Sequence, residues 1–382
     1  MNKSIFITGA TGLVGGKLVA QILTSSPCSR LFLLVRGSSQ ENARQRVLGT
    51  LRTFLPDLDE RTFDERVVVL CGDVTKDGLG LDPVQSSTVA QSITHLIHAA
   101  ANVQFQSSLE EAMATNFEGT RNVMRFARLA REHGRLQRVA YVSTAFTCGN
   151  RKGMIREEEL DKGQRFANGY EQSKFESERH VRSLMGELPI TVFRPSIIVG
   201  DSVDGRTTAF NVLYVPLRFV HRGLLRFIPG FRSNPLDVVP VDYVCDAIRH
   251  ILLETNQGIG QTYHLTAGKD GATTLGEIVD LAVAYFKSVD PRVAIPPLRF
   301  VPPQVLRLFA AIVRTGAGRA LGLMKVFESY MSRARAFDDS NTRAVLSSTS
   351  IRPPRFSSYY RPILQYCLDC SWGKRVTVFP AA

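Results

Sequence analysis

The sequence predicts an α/β fold: a Rossmann-type, doubly wound parallel sheet followed by a smaller, mostly helical C-terminal region. Three observations predict it. The chain opens on Ser4-Ile5-Phe6-Ile7-Thr8, a β-branched apolar run that breaks at Gly9 and passes through Gly12, Gly15 and Gly16 into a helical stretch. Comparable runs recur at 31–35, 66–70, 95–98, 139–142 and 190–193, with helical patterns between several of them, as βαβ units require. Of the 382 residues, 44% are hydrophobic and 21% charged, the balance of an ordinary globular chain. The expected division is a nucleotide-binding domain over 1–266, with a substrate-side insertion at about 203–236, and a C-terminal region over 267–382.

Strand, glycine turn and helix together present bare backbone N–H groups and a positive helix end to a phosphate. The opening turn is therefore expected to bind a nucleotide. Leu13, Val14, Leu18, Val19, Ile22 and Leu23 line one face of the helix that follows, and Ser25-Ser26-Pro27 ends it. Leu31–Val35 reads as a strand covered on both faces and stops at Arg36. At that point an acidic residue binds a ribose 2′-hydroxyl, whereas an arginine accommodates a 2′-phosphate. Arg36 argues for NADP(H) over NAD, with Arg44 and Arg46 placed to support the same phosphate; the plainer alternative is an arginine capping a strand end.

The third strand runs into Asp73-Val74, where the carboxylate either accepts from an adenine amino group or caps the next turn. The fourth, His95–His98, runs into Ala99-Ala100-Ala101, small residues that let a cofactor lie against the backbone. His98 is read as a satisfied core histidine. A helix over 108–132 places Met113, Asn116, Thr120, Val123, Met124 and Ala127 on one side, and Asn116 is the polar exception that must find partners. The fifth strand ends in Ser143-Thr144, at the carboxyl edge where open α/β sheets hold ligands. Tyr170 and Lys174 then stand four apart on a helix, side by side on one face. A nearby cation favours the phenolate, which makes the tyrosine a usable acid or base. The sixth strand ends in Arg194-Pro195.

In this order the motifs resemble those of the extended short-chain dehydrogenase/reductases: Thr8 to Gly15 (T-G-A-T-G-x-x-G), Asp73-Val74, the Asn116 helix, Tyr170-x-x-x-Lys174 and Arg194-Pro195. Within that group the chain is similar to fatty acyl-CoA reductases and to the domains that release thioesters reductively from carrier proteins. His98–Val103, Asn116–Thr120, Tyr141–Phe146, Arg194–Ser202 and Asp237–Val244 carry that closer likeness, strong over roughly 3–266 and looser through Phe337-Asp338-Asp339 and Arg352-Pro353-Pro354.

The resemblance implies roles. Gly9, Thr11, Gly12, Leu13, Val14 and Gly15 would hold the pyrophosphate, Arg36 the 2′-phosphate, Asp73 and Val74 the adenine, and Ala99 and Ala100 the face of the cofactor. Thr144, rather than Ser143, aligns with the active-site hydroxyl, counting back from Gly149. Tyr170 would be the proton donor, Lys174 would bind the nicotinamide ribose, and Asn116 would support Lys174 through a water. Pro195, Ser196, Ile197 and Ile198 would pack on the nicotinamide. The implied activity is NADPH-dependent reduction of a fatty acyl thioester, on coenzyme A or a carrier protein, to an aldehyde and in a second turnover an alcohol. The competing reading is an alcohol dehydrogenase or epimerase acting on a sterol or nucleotide sugar; a cofactor sensor without chemistry fits poorly with a complete Thr-Tyr-Lys set. Cys148, near this site, is not expected to act as a nucleophile.

A formal charge of +12 suggests an anionic partner. Between Gly205 and Leu236, Arg206, Arg218, Arg222, Arg226 and Arg232 interleave with Phe210, Tyr214, Phe219, Phe227 and Phe231. This reads either as a solvated amphipathic face or as a substrate mouth rimmed for phosphates or an acidic carrier; nothing else supports nucleic-acid binding. A basic amphipathic stretch over 305–326 suggests peripheral membrane contact or a cover for an acyl pocket. The first strand leaves no room for a signal peptide, no apolar run is long enough to span a bilayer, and the C-x-x-C at Cys367 and Cys370 has no second pair to complete a zinc site. The expected setting is the cytoplasm, with no bound metal. Chain length of the acyl group and oligomeric state are not readable.

Overall fold

Seven apolar segments build one parallel sheet: β1 (Ser4–Thr8), β2 (Arg30–Val35), β3 (Val67–Cys71), β4 (His95–His98), β5 (Arg138–Val142), β6 (Ile190–Pro195) and β7 (Thr262–Leu265). The structure is a computed structural model that describes residues 3–302, except Asn211 and Asp270, and 335–374. The strand order is β7-β6-β5-β4-β1-β2-β3, with Ser4 opposite Arg30 and Ile5 opposite His95. The chain leaves β1 toward β2 and β3, then crosses back to place β4 on the other side of β1. The strand order therefore reverses between β1 and β4, and a crevice opens there at the carboxyl edge.

The principal helices are α1 (Leu13–Ser25), α2 (Gln40–Phe54), α3 (Gly119–Glu132), α4 (Gly169–Ser183), α5 (Tyr214–His221), α6 (Val241–Arg249), α7 (Leu275–Val289) and α8 (Phe356–Asp369), together with shorter segments. α1, α2 and α6 bury Leu18, Ile22, Val47, Leu51, Val244 and Ile248 on one face; α3 buries Val123, Met124 and Ala127 on the other. Each such side chain contributes about 1.5–3 kcal/mol. Both faces are covered, so the strands are buried along most of their length and most carry continuous apolar stretches rather than an alternation.

The helix expected over 108–132 is interrupted. Ser108 opens it with a capping box to Glu111, and Met113–Glu118 then forms a π-helical turn before α3 resumes. Two side chains stabilise the turn by donating to the Asn116 carbonyl: Thr120 Oγ1 at 2.5 Å and Ser177 Oγ at 3.0 Å. Such single π turns are common at functional sites.

A second core joins both sides of the boundary expected at residue 266. Phe146, Ile197, Tyr214, Leu217 and Leu236 pack with Ile278, Phe286, Phe337, Tyr359 and Ile363. Two short parallel ribbons tie the same regions, Gly153–Ile155 with Arg335–Phe337 and Phe227–Pro229 with Arg299–Val301. The segment after 266 is thus completed by residues that precede it. The basic stretch over 305–326 lies outside the described residues. Among the described residues no helix is long and apolar enough to cross a membrane.

Candidate active site

The opening turn has the shape its glycines imply. Gly9 sits at φ 77°, and a Cβ there would lie 2.6 Å from the Ala100 nitrogen. A Cβ on Gly15 would lie 2.2 Å from the Gly9 oxygen, whereas one on Gly12 meets nothing nearer than 3.3 Å. Gly12 is the N-cap of α1 and makes no side-chain cap, and the first turn carries no acidic residue. The positive helix end and its orphan N–H groups therefore face the crevice without a protein partner of opposite charge.

Two cavities meet at this turn and share Thr11, Gly12, Ala99 and Ala101. The outer one, about 230 Å³, is lined by Gly9, Arg36, Arg46, Asp73, Val74 and Ala100. The inner one, about 270 Å³, is lined by Leu13, Val14, Gly15, Thr144, Tyr170, Lys174 and Pro195 through Ile198. Every residue that the resemblance assigned to the cofactor lines one cavity or the other. Asp73 also caps the next turn, accepting from the Thr75 nitrogen at 2.9 Å and its hydroxyl at 3.0 Å. Arg46 donates to the Arg36 carbonyl at the outer rim. Arg44 does not join them: it pairs with Asp64 at 2.8 Å and with Glu60 at 3.3 Å, and so is not placed to support a phosphate beside Arg36.

Thr144, at the end of β5, accepts from the Phe146 nitrogen at 3.3 Å and starts a 3-10 turn. Tyr170 lies in the first turn of α4, whose N-cap Asn168 accepts from the Glu171 nitrogen at 2.9 Å. The Phe105 ring meets Tyr170 edge-on at 5.5 Å. Burial pushes the Tyr170 phenol up to about 12, and its hydrogen bond with the Thr144 side chain acts against that. One turn on, Lys174 donates from Nζ to the Val142 carbonyl at 2.9 Å and sits 4.4 Å over the Tyr141 ring. Burial pulls its ammonium down to about 7, and the Glu178 carboxylate opposes the fall.

Asn116 is buried behind this wall and does not line either cavity. Its Oδ1 accepts from the Asn102 nitrogen at 2.7 Å, and Nδ2 donates to the Asn102 carbonyl at 3.1 Å and Ser173 Oγ at 2.9 Å. It fastens the loop after β4 to α4. His98 is the core histidine expected, bonded to Thr8 Oγ1 at 2.7 Å and Thr120 Oγ1 at 3.0 Å, and burial lowers its pKa to about 3. Cys148 is buried beside Arg335, and burial raises its thiol pKa, the opposite of what a nucleophile needs.

Glu178 was not singled out from the sequence. It is fully buried and binds Ser143 Oγ at 2.6 Å and Arg194 at 2.7 Å. The available signal was its spacing: Tyr170, Lys174 and Glu178 follow at i, i+4 and i+8 on one helical face. The arginine-rich segment splits in two. Tyr214 and Phe219 enter the core, Arg206 pairs with Asp204, and Arg232 pairs with Asp280. Leu224, Phe227 and Phe231 are exposed beside Arg222 and Arg226. Thr208, Ala209 and Val212 bring the segment to the inner cavity's mouth. Among the described residues no His, Cys, Asp and Glu cluster is arranged to hold a metal.

Residues 7–248 match the family model described as male sterility protein, an NAD-binding family. The chain is 29% identical over 271 residues to the nonribosomal peptide synthetase asaC of Aspergillus flavus, covering 68% of this chain and 26% of that protein. It is 24% identical over 451 residues to the probable fatty acyl-CoA reductase 5 of Arabidopsis thaliana, covering 91% and 90% of the two chains. The solved terminal R domain of the myxalamid PKS-NRPS biosynthetic pathway superposes with a TM-score of 0.82 at 26% identity, covering 98% of this chain and 92% of that one. The chain spans only about a quarter of the length of the synthetase it matches. The seven-strand sheet with its glycine turn, the Tyr170–Lys174 pair and the matched stretch lead to one assignment: the chain belongs to the male sterility protein family of NAD-binding domains, a branch of the extended short-chain dehydrogenase/reductases.

Proposed function

We propose that the protein is an NADPH-dependent reductase of acyl thioesters, fatty acyl-CoA or the carrier-protein-bound equivalent, yielding the aldehyde and in a second turnover the alcohol. The observation that carries the reading is the inner cavity, where Thr144, Tyr170 and Lys174 share one wall and adjoin the uncapped end of α1. The residues present fit the cofactor: the turn offers backbone donors with no acidic residue in the first turn of α1, and Arg36 and Arg46 line the outer cavity, which supports a 2′-phosphate there. The relatives described above include a fatty acyl-CoA reductase and a synthetase R domain, which supports a thioester as substrate.

When bound, NADPH supplies the hydride. The Thr144 and Tyr170 hydroxyls donate to the thioester oxygen as negative charge builds on it, and stabilisation of this kind is the largest single contribution in many enzymes. A phenol with pKa near 12 keeps its proton at neutral pH, so Tyr170 is set up to give one, the role reduction requires. Lys174 holds the cofactor ribose and eases the tyrosine's loss of its proton. Pro195 to Ile198 line the same cavity and would pack on the nicotinamide, excluding water from that face. Collapse of the tetrahedral adduct releases the thiol and leaves the aldehyde.

The test is direct. Purified protein with NADPH and a panel of acyl-CoA and acyl-pantetheine thioesters is followed by NADPH absorbance and aldehyde analysis. Aldehyde or alcohol formation is expected, and its absence across chain lengths and carriers refutes the reaction.

A further inference from the structure

We propose that Glu178 is a positioning residue for the reductase site, its buried carboxylate tying together the strand ends that carry Thr144 and Pro195 and standing as the buried anion one helical turn from Lys174. The inference rests on the reading of Lys174 as the cofactor-binding ammonium. Glu178 stands one helical turn beyond Lys174, with no exposed surface. It accepts from Ser143 Oγ at 2.6 Å, Arg194 Nε at 3.0 Å, the Arg194 terminal nitrogen at 2.7 Å and Arg182 Nε at 2.9 Å. Ser143 immediately precedes Thr144 at the end of β5, and Arg194 immediately precedes Pro195 at the end of β6. One carboxylate therefore links α4, which bears Tyr170 and Lys174, to both strand ends that border the nicotinamide side of the crevice.

Burying an ion pair is not a route to stability, since desolvation offsets most of the attraction. What this pair supplies is geometry and charge. Lys174 faces Glu178 from its own helix, the neutral His98 from β4, the Tyr141 ring from β5 and the Tyr170 phenol. Glu178 faces Arg194 from β6, Arg182 from α4 and the Ser143 hydroxyl from β5, and Arg194 in turn meets His264 from β7 at 3.3 Å. Without the carboxylate, the burial that disfavours the protonated Lys174 amine loses the charge that opposes it.

The experiment measures NADPH binding by fluorescence from pH 6 to pH 9 for the wild type, Glu178→Gln and Arg182→Gln, with thioester turnover followed separately. Wild-type binding is expected to weaken as Lys174 loses its proton. In E178Q the midpoint moves to lower pH by at least about one unit, a tenfold change in proton affinity, and neutral-pH affinity falls in step. In R182Q, where a cation is removed from the same carboxylate, the midpoint moves to higher pH. A merely structural carboxylate moves neither midpoint. Equal midpoints in wild type and E178Q overturn the proposal. If circular dichroism shows E178Q unfolded, R182Q decides, and an unmoved midpoint there overturns it. A wild type that binds NADPH but reduces no thioester refutes the reaction alone, and one that binds no NADPH overturns both.

Discussion

Gly12 and Gly15 are three residues apart in the same turn, and the structure predicts different consequences for replacing each with alanine. At Gly15 the new methyl would lie 2.2 Å from the Gly9 oxygen and 2.7 Å from its carbon, both backbone atoms that move only if the turn opens. Overpacking of that kind typically costs about 1–3 kcal/mol, so Gly15→Ala is expected to lower stability measurably without any ligand. At Gly12 the nearest atom is 3.3 Å away, and its backbone, at φ −90° and ψ 175°, suits any residue. Exchanging glycine for alanine at an N-cap costs less than about 1 kcal/mol, so Gly12→Ala should melt near the wild type. Its methyl projects into the crevice where the pyrophosphate is expected. Loss of that close approach is predicted to weaken NADPH at least about tenfold, the equivalent of ~1.4 kcal/mol. Thermal unfolding of the free proteins and fluorescence titration with NADPH separate the two cases. Wild-type cofactor affinity in Gly12→Ala, or a wild-type melting curve in Gly15→Ala, refutes the reasoning.

Three further outcomes are expected. Tyr170→Phe lowers turnover by ~10²–10⁴, the usual worth of a general acid, while NADPH binding is retained; near-normal turnover removes the tyrosine from its role. Arg36→Asp shifts cofactor preference from NADPH toward NADH by about tenfold or more, since a hydrogen bond to a charged group contributes about 1.5–3 kcal/mol, and an unchanged ratio of kcat/KM values counts against the phosphate contact. His98→Asn lowers stability by about 2–4 kcal/mol at pH 7.5, because Thr8 and Thr120 each lose a buried partner. That gap narrows in acid: the folded imidazole has its pKa lowered from 6.5 to about 3, whereas the unfolded one takes up a proton below 6.5. The histidine's contribution is complete above pH 6.5 and falls as pH drops toward 3, by roughly 2 kcal/mol at pH 5. Urea titrations at pH 7.5 and 5 check it; a constant gap is the refuting result.

Local chemistry explains which parts of this architecture the sequence announced. β1 to β6 are buried on both faces, so each carries an apolar stretch at its centre, and the glycine turn carries a steric signature that few other structures need. β7 was missed because Thr262-Tyr263-His264-Leu265 lacks an adjacent aliphatic pair such as Leu96-Ile97 of β4; it pairs in parallel with β6, Thr262 opposite Val192, and the Glu157 carboxylate accepts from the His264 nitrogen at 2.8 Å from far away in the chain. The lining of the crevice was legible because its residues sit in consecutive turns at strand ends. Asn116 was visible as a polar residue on an apolar face, but its partners Asn102 and Ser173 are set by tertiary packing. Arg44 and Arg46 look alike in sequence, and only the neighbouring helix with Glu60 and Asp64 separates them. Glu178 was hidden for the converse reason, since a glutamate in a helix reads as solvent-facing until Arg194 is brought against it.

The π-helical turn at Met113–Glu118 has a mechanical consequence. An extra residue in one turn puts the two halves of a helix out of phase by about 100°, the angular step of one residue at 3.6 per turn. Within the turn Asn116 faces the loop that follows β4, while the half after it sets Val123, Met124 and Ala127 into the core. A regular helix through the same residues would have to give up one of those alignments. The irregularity acts as a phase shifter between the loop after β4 and the core, giving each its own alignment along one continuous helix.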